Sequence, residues 1–280
     1  MSAALYPGLT HRQYTRLPGV SASQLRTLRQ GSPAHLRQYL DSPDDDTSSR
    51  GVLRAIHALV LEPQSWEADF AVFPGERRAG GAWTAWRDSH AHRTILTQPE
   101  AEHARAVSSA VLAHPLAGPM LTRYGVSELS GTWTDQRTGL PCRLRIDRLQ
   151  RLSTTAYRVI DLKTVSSNEA HKIRSVVSQQ GWHIQLAHYM AGVSAVMPGV
   201  VVHGALITVE DSAPYDVAVW CLGPAEELVA TQERDGLLDT YAACLASGVW
   251  PGRYDCEQDL TLARYLYPDD VDGVEIVEIP

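Results

Sequence analysis

Lysine is almost missing from this chain: of 25 Lys and Arg residues in 280, only Lys163 and Lys172 are lysines. Long apolar runs are missing too. No stretch reaches the ~18 residues of a membrane span, so none is expected. The N-terminal Met1-Ser2-Ala3-Ala4-Leu5-Tyr6-Pro7 lacks a basic region followed by an apolar run, which argues against a secretory signal. The four cysteines, Cys142, Cys221, Cys244 and Cys256, form no C-x-x-C pair. That argues against a zinc ribbon or an iron–sulfur site and suits reduced thiols in a cytoplasmic protein. Positive charge is also short. A net charge of −7 counts against indiscriminate nucleic-acid binding, although a local basic surface can exist on an acidic protein. Arg143, Arg145, Arg148, Arg151 and Arg158 lie close to one another in sequence and read equally as such a surface or as a solvated sheet edge.

Hydrophobic content of 44% and charged content of 20% are those of an ordinary globular protein. Ser21 with Gln24 has the form of a capping box opening a helix, and Gly31 suits its end. Ser32-Pro33 opens a second helix. Residues 42–49 read as an acidic surface loop. Val52, Leu53, Ile56, Leu59, Val60 and Leu61 give helical spacing up to Pro63, with His57 inside that helix. Residues 74–87 read as a loop or short helix, and 99–113 as an amphipathic helix. From Val126 the pattern turns to strands, at 128–133, 141–149 and 157–164, expected as an antiparallel meander. Helices follow at 168–178 and 182–196, strands at 200–209 and 215–222, and a long helix at 224–246. The acidic tail 268–280 alternates with Val and Ile, as an edge strand or a partly ordered end would. The expectation is one α/β domain over 1–280 with a central mixed β-sheet flanked by helices: a mainly helical part (1–125), the sheet core with its helices (126–252), and a tail (253–280).

Chemistry gathers in two of the strands. In Tyr157–Thr164, alternation turns Ile160 and Leu162 to one face, and Asp161 and Lys163 to the other. An isolated Asp-x-Lys is commonly an exposed ion pair. Arginine, however, is used nearly everywhere else, and only lysine has a pKa that surroundings can move readily. Asp147 precedes Asp161 by fourteen residues, as in adjacent strands of a hairpin. Two carboxylates held close repel unless a cation lies between them, and hard oxygen donors favour Mg²⁺ or Mn²⁺. Such an ion polarises a phosphoryl oxygen and acidifies water, and a pair of ions can also steady the leaving oxygen. Lys163 would orient or deprotonate the attacking water.

Asp147 followed by Asp161-Leu162-Lys163 resembles the PD-(D/E)xK nuclease core, of restriction-endonuclease-like fold. Gln185-Leu186-Ala187-His188-Tyr189 is similar to the Q-x-x-x-Y motif of its RecB-type branch, the two residues sharing a helix face. Gly51, His57–Pro63, Val20–Ser23, Ser32–His35 and Glu128 are similar to segments of RecE-type exonucleases (exodeoxyribonuclease VIII). The likeness spans roughly residues 18 to 252, although Ile146 stands where a literal Pro-Asp would need proline.

The resemblance implies His57, Asp147 and Asp161 as metal ligands, with Glu128 as a further candidate that could equally be a solvated strand carboxylate. It implies Lys163 as the water-positioning base, and Gln185 and Tyr189 as contacts to DNA backbone or supports of the site; helix packing is their other reading. The implied activity is Mg²⁺-dependent exonuclease action on linear duplex ends, 5′-to-3′, with Mn²⁺ substituting. That would supply single strands to an annealing recombinase in phage or prophage recombination, from a homo-oligomer in processive relatives. A structure-specific or single-strand endonuclease on the same fold, and a non-catalytic DNA-binding subunit, are the alternatives.

Overall fold

Residues 3–41, 49–75 and 78–260 are described by the computed structural model of the chain. The tail expected at 268–280, and the expected loop except for Ser49, lie outside them. The chain starts with strand β1 (Ala4–Tyr6) and helix α1 (His11–Thr15), the helix opened by a Thr10–Gln13 capping box. Helix α2 (Ala22–Gln30) carries the expected Ser21–Gln24 box. Gly31 ends α2 at φ −107°, not in a left-handed conformation; a Cβ there would lie 2.7 Å from the Cβ of His35, so close approach demands the glycine. Helices α3 (Pro33–Asp41), α4 (Ser49–Leu61) and α5 (Trp66–Asp69) follow. Strand β2 (Phe70–Phe73), helix α6 (Gly80–Ser89) and strand β3 (Thr94–Thr97) then build a small parallel two-stranded sheet. Helices α7 (Gln98–Ala113) and α8 (Ala117–Thr122) complete this part. The mainly helical reading of 1–125 thus missed three short strands.

The main sheet adds β4 (Gly125–Thr134), β5 (Pro141–Arg151), β6 (Ala156–Val165), β7 (Val201–Glu210) and β8 (Val217–Cys221). Its order is β1-β4-β5-β6-β7-β8, with β6 and β7 parallel and every other pair antiparallel. The expected meander is β4-β5-β6. Between β6 and β7 run helices α9 (Ala170–Gln180) and α10 (Trp182–Val196), turned at Gly181 with φ 65°, and α11 (Pro224–Ser247) closes the described fold. This is the α/β architecture with a helix-flanked mixed sheet that the sequence led us to expect.

Each sheet face has its own core. Leu25, Leu144, Ile146, Val159, Leu186 and Val193 pack between the sheet and the layer of α2, α10 and α11. Ile56, Leu96, Val107, Leu121, Ile160, Leu162 and Ile207 pack between the sheet and α4, α7 and α8. Neighbouring Val159 and Ile160 go to opposite cores, as pleating requires. Helix α10 lies so close to the sheet that a Cβ on Gly192 would overlap Leu144 and Trp133. Arg143, Arg145 and Arg148 of β5 are neither a solvated edge nor one open basic surface, whereas Arg151 at the strand's end is exposed. Arg143 donates to the carbonyls of Thr15 and Leu17, Arg145 to that of Leu9, and Arg148 to Ser127 and the Arg123 carbonyl. They tie the N-terminal segment and the start of β4 to the sheet.

Candidate active site

The site lies where regular pairing fails. β5 and β6 pair only from Arg148↔Ile160 to Arg151↔Tyr157, then part. The β4–β5 ladder runs from Gly125↔Gln150 to Thr134↔Pro141 and skips one pair, Glu128 and Asp147. Glu128 has φ 49°, left-handed for a residue with a side chain. On β5, Leu144 and Ile146 share a core with Leu149, so alternation breaks around Asp147. An irregularity in both strands therefore aims two carboxylates into the gap between parting strands. Asp147 also repairs the backbone there: the Leu162 N–H, lacking a ladder partner on β5, donates to Asp147 Oδ2 at 2.7 Å.

Helices from both layers reach this gap. From α4, His57 brings Nδ1 to 3.7 Å from Asp147 Oδ2. One ligand atom each from His57, Glu128 and Asp147 lies within 4.8 Å of the other two. Asp161 stands outside that triple. It is only 1% exposed, Oδ1 accepts from Gln185 Nε2 at 2.7 Å, and Gln185 Nε2 also reaches the Tyr189 hydroxyl at 2.9 Å. Lys163 Nζ sits 2.5 Å from Asp161 Oδ2 and 5.7 Å from the centre of the Trp182 ring. Despite that short ion pair, Asp161 Oδ2 has no aligned hydrogen bond, and Gln185 Oε1 has none either. The structure thus gathers all seven sequence-derived residues into one region, in two groups: a three-ligand cluster, and a buried Asp161–Lys163–Gln185–Tyr189 array beside it.

Burial pushes the Glu128 carboxyl up to about 7, with the Asp147 charge adding to the effect and Arg145 opposing it. Burial raises Asp161 as well; Lys163 opposes, and the Asp147 charge adds. Tyr189 is raised well above its ordinary value, chiefly by burial, so it keeps its proton. Crowded, desolvated carboxylates that resist ionising are relieved by a cation as well as by a proton. Two carboxylates, an imidazole and an orphaned carboxylate oxygen next to them fit a divalent metal of the Mg²⁺ or Mn²⁺ kind.

One partner escaped the sequence reading. Arg145 Nε donates to Glu128 Oε2 at 2.6 Å while its NH1 holds the Leu9 carbonyl at 2.7 Å. The two residues are diagonal neighbours across the expected β4–β5 hairpin, two positions out of register (Arg145 pairs with Ser130), and that proximity was the available signal. Glu62, at the end of α4, also bears on the site: burial raises its pKa, and its charge adds to that on Glu128.

Residues 21–260 match the family described as PDDEXK-like domain of unknown function (DUF3799). Among solved structures, the chain is similar to one described as "Putative exonuclease" from Eubacterium rectale. Identity is 11%, the TM-score 0.59, and the match covers 92% of this chain and 96% of that one. At that identity the likeness speaks for the fold. A second structure, SSO0001, gives a TM-score of 0.31 at 12% identity over 78% of this chain and 85% of that one, too low to carry an argument. No curated protein matches the chain.

Proposed function

Because the chain belongs to the PDDEXK-like DUF3799 family, we propose that it is a divalent-metal-dependent deoxyribonuclease of RecE-like type. It hydrolyses phosphodiester bonds from the ends of linear duplex DNA, 5′-to-3′, in phage-type recombination. One observation carries the reading: the buried Asp161 oxygen, pressed by Lys163 yet without a hydrogen bond, borders a convergent His57–Glu128–Asp147 cluster.

His57, Glu128 and Asp147 would hold the cation, with Asp161 Oδ2 completing the donors on the β6 side. A bound divalent ion supplies Lewis acidity toward a phosphoryl oxygen and toward water. The chain's own groups do the rest. Lys163 positions the attacking water and offsets phosphate charge, its ammonium steered by Asp161 and the Trp182 face. Gln185 fixes the Asp161 carboxylate through Oδ1 and leaves Oδ2 available. Tyr189, accepting from Gln185 and keeping its own proton, retains a donor for a phosphate oxygen. Contacts of this kind position DNA without reading its sequence.

Time-resolved digestion of end-labelled duplex with Mg²⁺, Ca²⁺ or EDTA tests the proposal. Label should leave the ends with Mg²⁺ and stay in EDTA. Unchanged hydrolysis in EDTA would remove the metal from the mechanism. Closed circles cut as fast as linear duplex would remove the exonuclease assignment.

A further inference from the structure

A cavity of about 510 Å³ opens where α8 meets the hairpin end of β5 and β6 and the edge of β8. Arg123, Tyr124, Gln150 and Arg158 line it with apolar Leu116 and Pro119. Its size falls among small-molecule sites. Gln150 and Arg158 are cross-strand partners, three residues along their strands from Asp147 and Asp161. At ~3.3 Å per residue that is about 10 Å along the strands, and the odd spacing puts Arg158 on the sheet face opposite Asp161.

Two features mark it as built to receive a ligand. Gln150 Oε1, an acceptor, and Arg158 Nε, a donor, belong to two of its lining residues and lie closed off from solvent without hydrogen-bond partners. Native proteins seldom leave such atoms unmatched. The second feature is charge. In a chain of net charge −7, neither Arg123 nor Arg158 joins an ion pair among the described residues, whereas Arg29, Arg78, Arg137 and Arg234 do. Unneutralised guanidinium groups favour a phosphate, which they can grip through paired donors. Beside them, Tyr124 is 82% exposed and Leu116 62% exposed, with Tyr124 held at φ 42° by its carbonyl's bond to the Arg151 N–H. An exposed ring and an apolar wall favour a flat, largely apolar body.

A flat ring system with hydrogen-bonding edges, joined to a phosphate, is a nucleotide. We propose that this cavity binds a nucleoside phosphate: base against Tyr124 and Leu116, its edge to Gln150, and phosphate to Arg123 and Arg158. The ligand is either a free nucleotide or one unit of a single strand. The site stands on its own residues and does not depend on the hydrolytic reading.

Titration of full-length protein in EDTA with deoxythymidine monophosphate, a ten-residue oligothymidylate and inorganic phosphate tests this. The monophosphate should bind with Kd of about 1 mM or tighter. Arg123→Ala and Tyr124→Gly should each weaken it about tenfold or more; both positions are exposed, and glycine suits the left-handed backbone at 124. An oligomer bound far more tightly than the monophosphate, with the same sensitivity, assigns the site to a strand, and equal affinities assign it to the free nucleotide. No monophosphate binding, binding indifferent to both substitutions, or inorganic phosphate binding as tightly would each overturn the proposal.

Discussion

Asp135 and Asp161 are both buried carboxylates with a cation at contact distance, yet their pKa values move in opposite directions. Asp135 sits in the turn between β4 and β5, 6% exposed. Its Oδ1 accepts from the Arg137 N–H at 3.2 Å, the Thr138 N–H at 3.1 Å and the Thr138 hydroxyl at 3.0 Å, while Oδ2 accepts from Arg234. Burial pushes this carboxyl up, but the turn's donors and Arg234 outweigh it and hold it low. Asp161 has one hydrogen bond, from Gln185, and an ion pair without alignment. There burial wins. A carboxylate surrounded by fixed donors is structural, because nothing remains for it to bind. One left short of donors is destabilising as an anion, unless something else is to arrive.

The largest expected effect separates the two directly. Asp161→Asn should lower hydrolysis about 1,000-fold or more, in line with losing a group that acts mainly in the transition state. Its folding stability should hold or rise, since the fold already resists charge at that position. Asp135→Asn should instead cost about 2 kcal/mol by removing one of the two carboxylates on buried Arg234 and leaving it only Asp235, at 3.0 Å, with turnover per folded molecule retained. Urea denaturation beside the digestion assay reads both. Equal destabilisation by the two substitutions would erase the distinction.

A smaller effect follows from pH. The folded Glu128 carboxyl titrates at about 7, above its ordinary 4.5. Its contribution to stability is therefore whole below pH 4.5 and is lost as pH rises through 7. On the proposed metal-bound reading a divalent cation would replace the proton there, so Mg²⁺ should raise Tm more at pH 8 than at pH 5.5, and Glu128→Gln should flatten that difference. The core shows the reverse slope. Buried His188 is pushed down to about 3, mainly by burial, and its Nε2 faces the Val20 and Arg143 carbonyls. Its contribution is whole above pH 6.5 and falls away as pH drops toward 3. Thermal melts across pH with and without Mg²⁺ check both slopes, and an equal Mg²⁺ response at the two pH values would argue against Glu128 as a ligand.

How much of this was readable in advance follows from the range of each interaction. Asp147, Asp161 and Lys163 stood out because strand alternation and a short hairpin are local, and Gln185 with Tyr189 because four residues make a helical turn. His57 reaches the site from the opposite helical layer, and only the resemblance joined it to the strands. Glu128 stayed ambiguous for a backbone reason: its direction depends on φ 49° and a skipped ladder pair, and no glycine flagged the turn. Arg143, Arg145 and Arg148 were misjudged because, apart from the Arg145–Glu128 pair and the Arg148–Ser127 bond, they hold main-chain carbonyls of residues 9–17 and 123, which carry no charge pattern to detect. Strand β1 and the β2–β3 pair are too short for periodicity to register.

The smallest effect tests the support under Asp161. Gln185 Nε2 serves both Asp161 Oδ1 and the Tyr189 hydroxyl, so the tyrosine steadies the carboxylate through the amide. Tyr189→Phe deletes one buried oxygen and leaves the ring's packing intact. Stability should change by about 1 kcal/mol or less, and hydrolysis should fall about tenfold, through loss of Asp161 alignment and of a donor to phosphate. The matching change in the structural cluster is Thr138→Val, which removes the hydroxyl from Asp135 but spares both backbone donors; it should lower stability by about 1 kcal/mol and leave hydrolysis alone. If Tyr189→Phe instead behaves like Thr138→Val, losing stability with full activity, then α10 meets the strands at that point by packing only, and the functional array stops at Gln185.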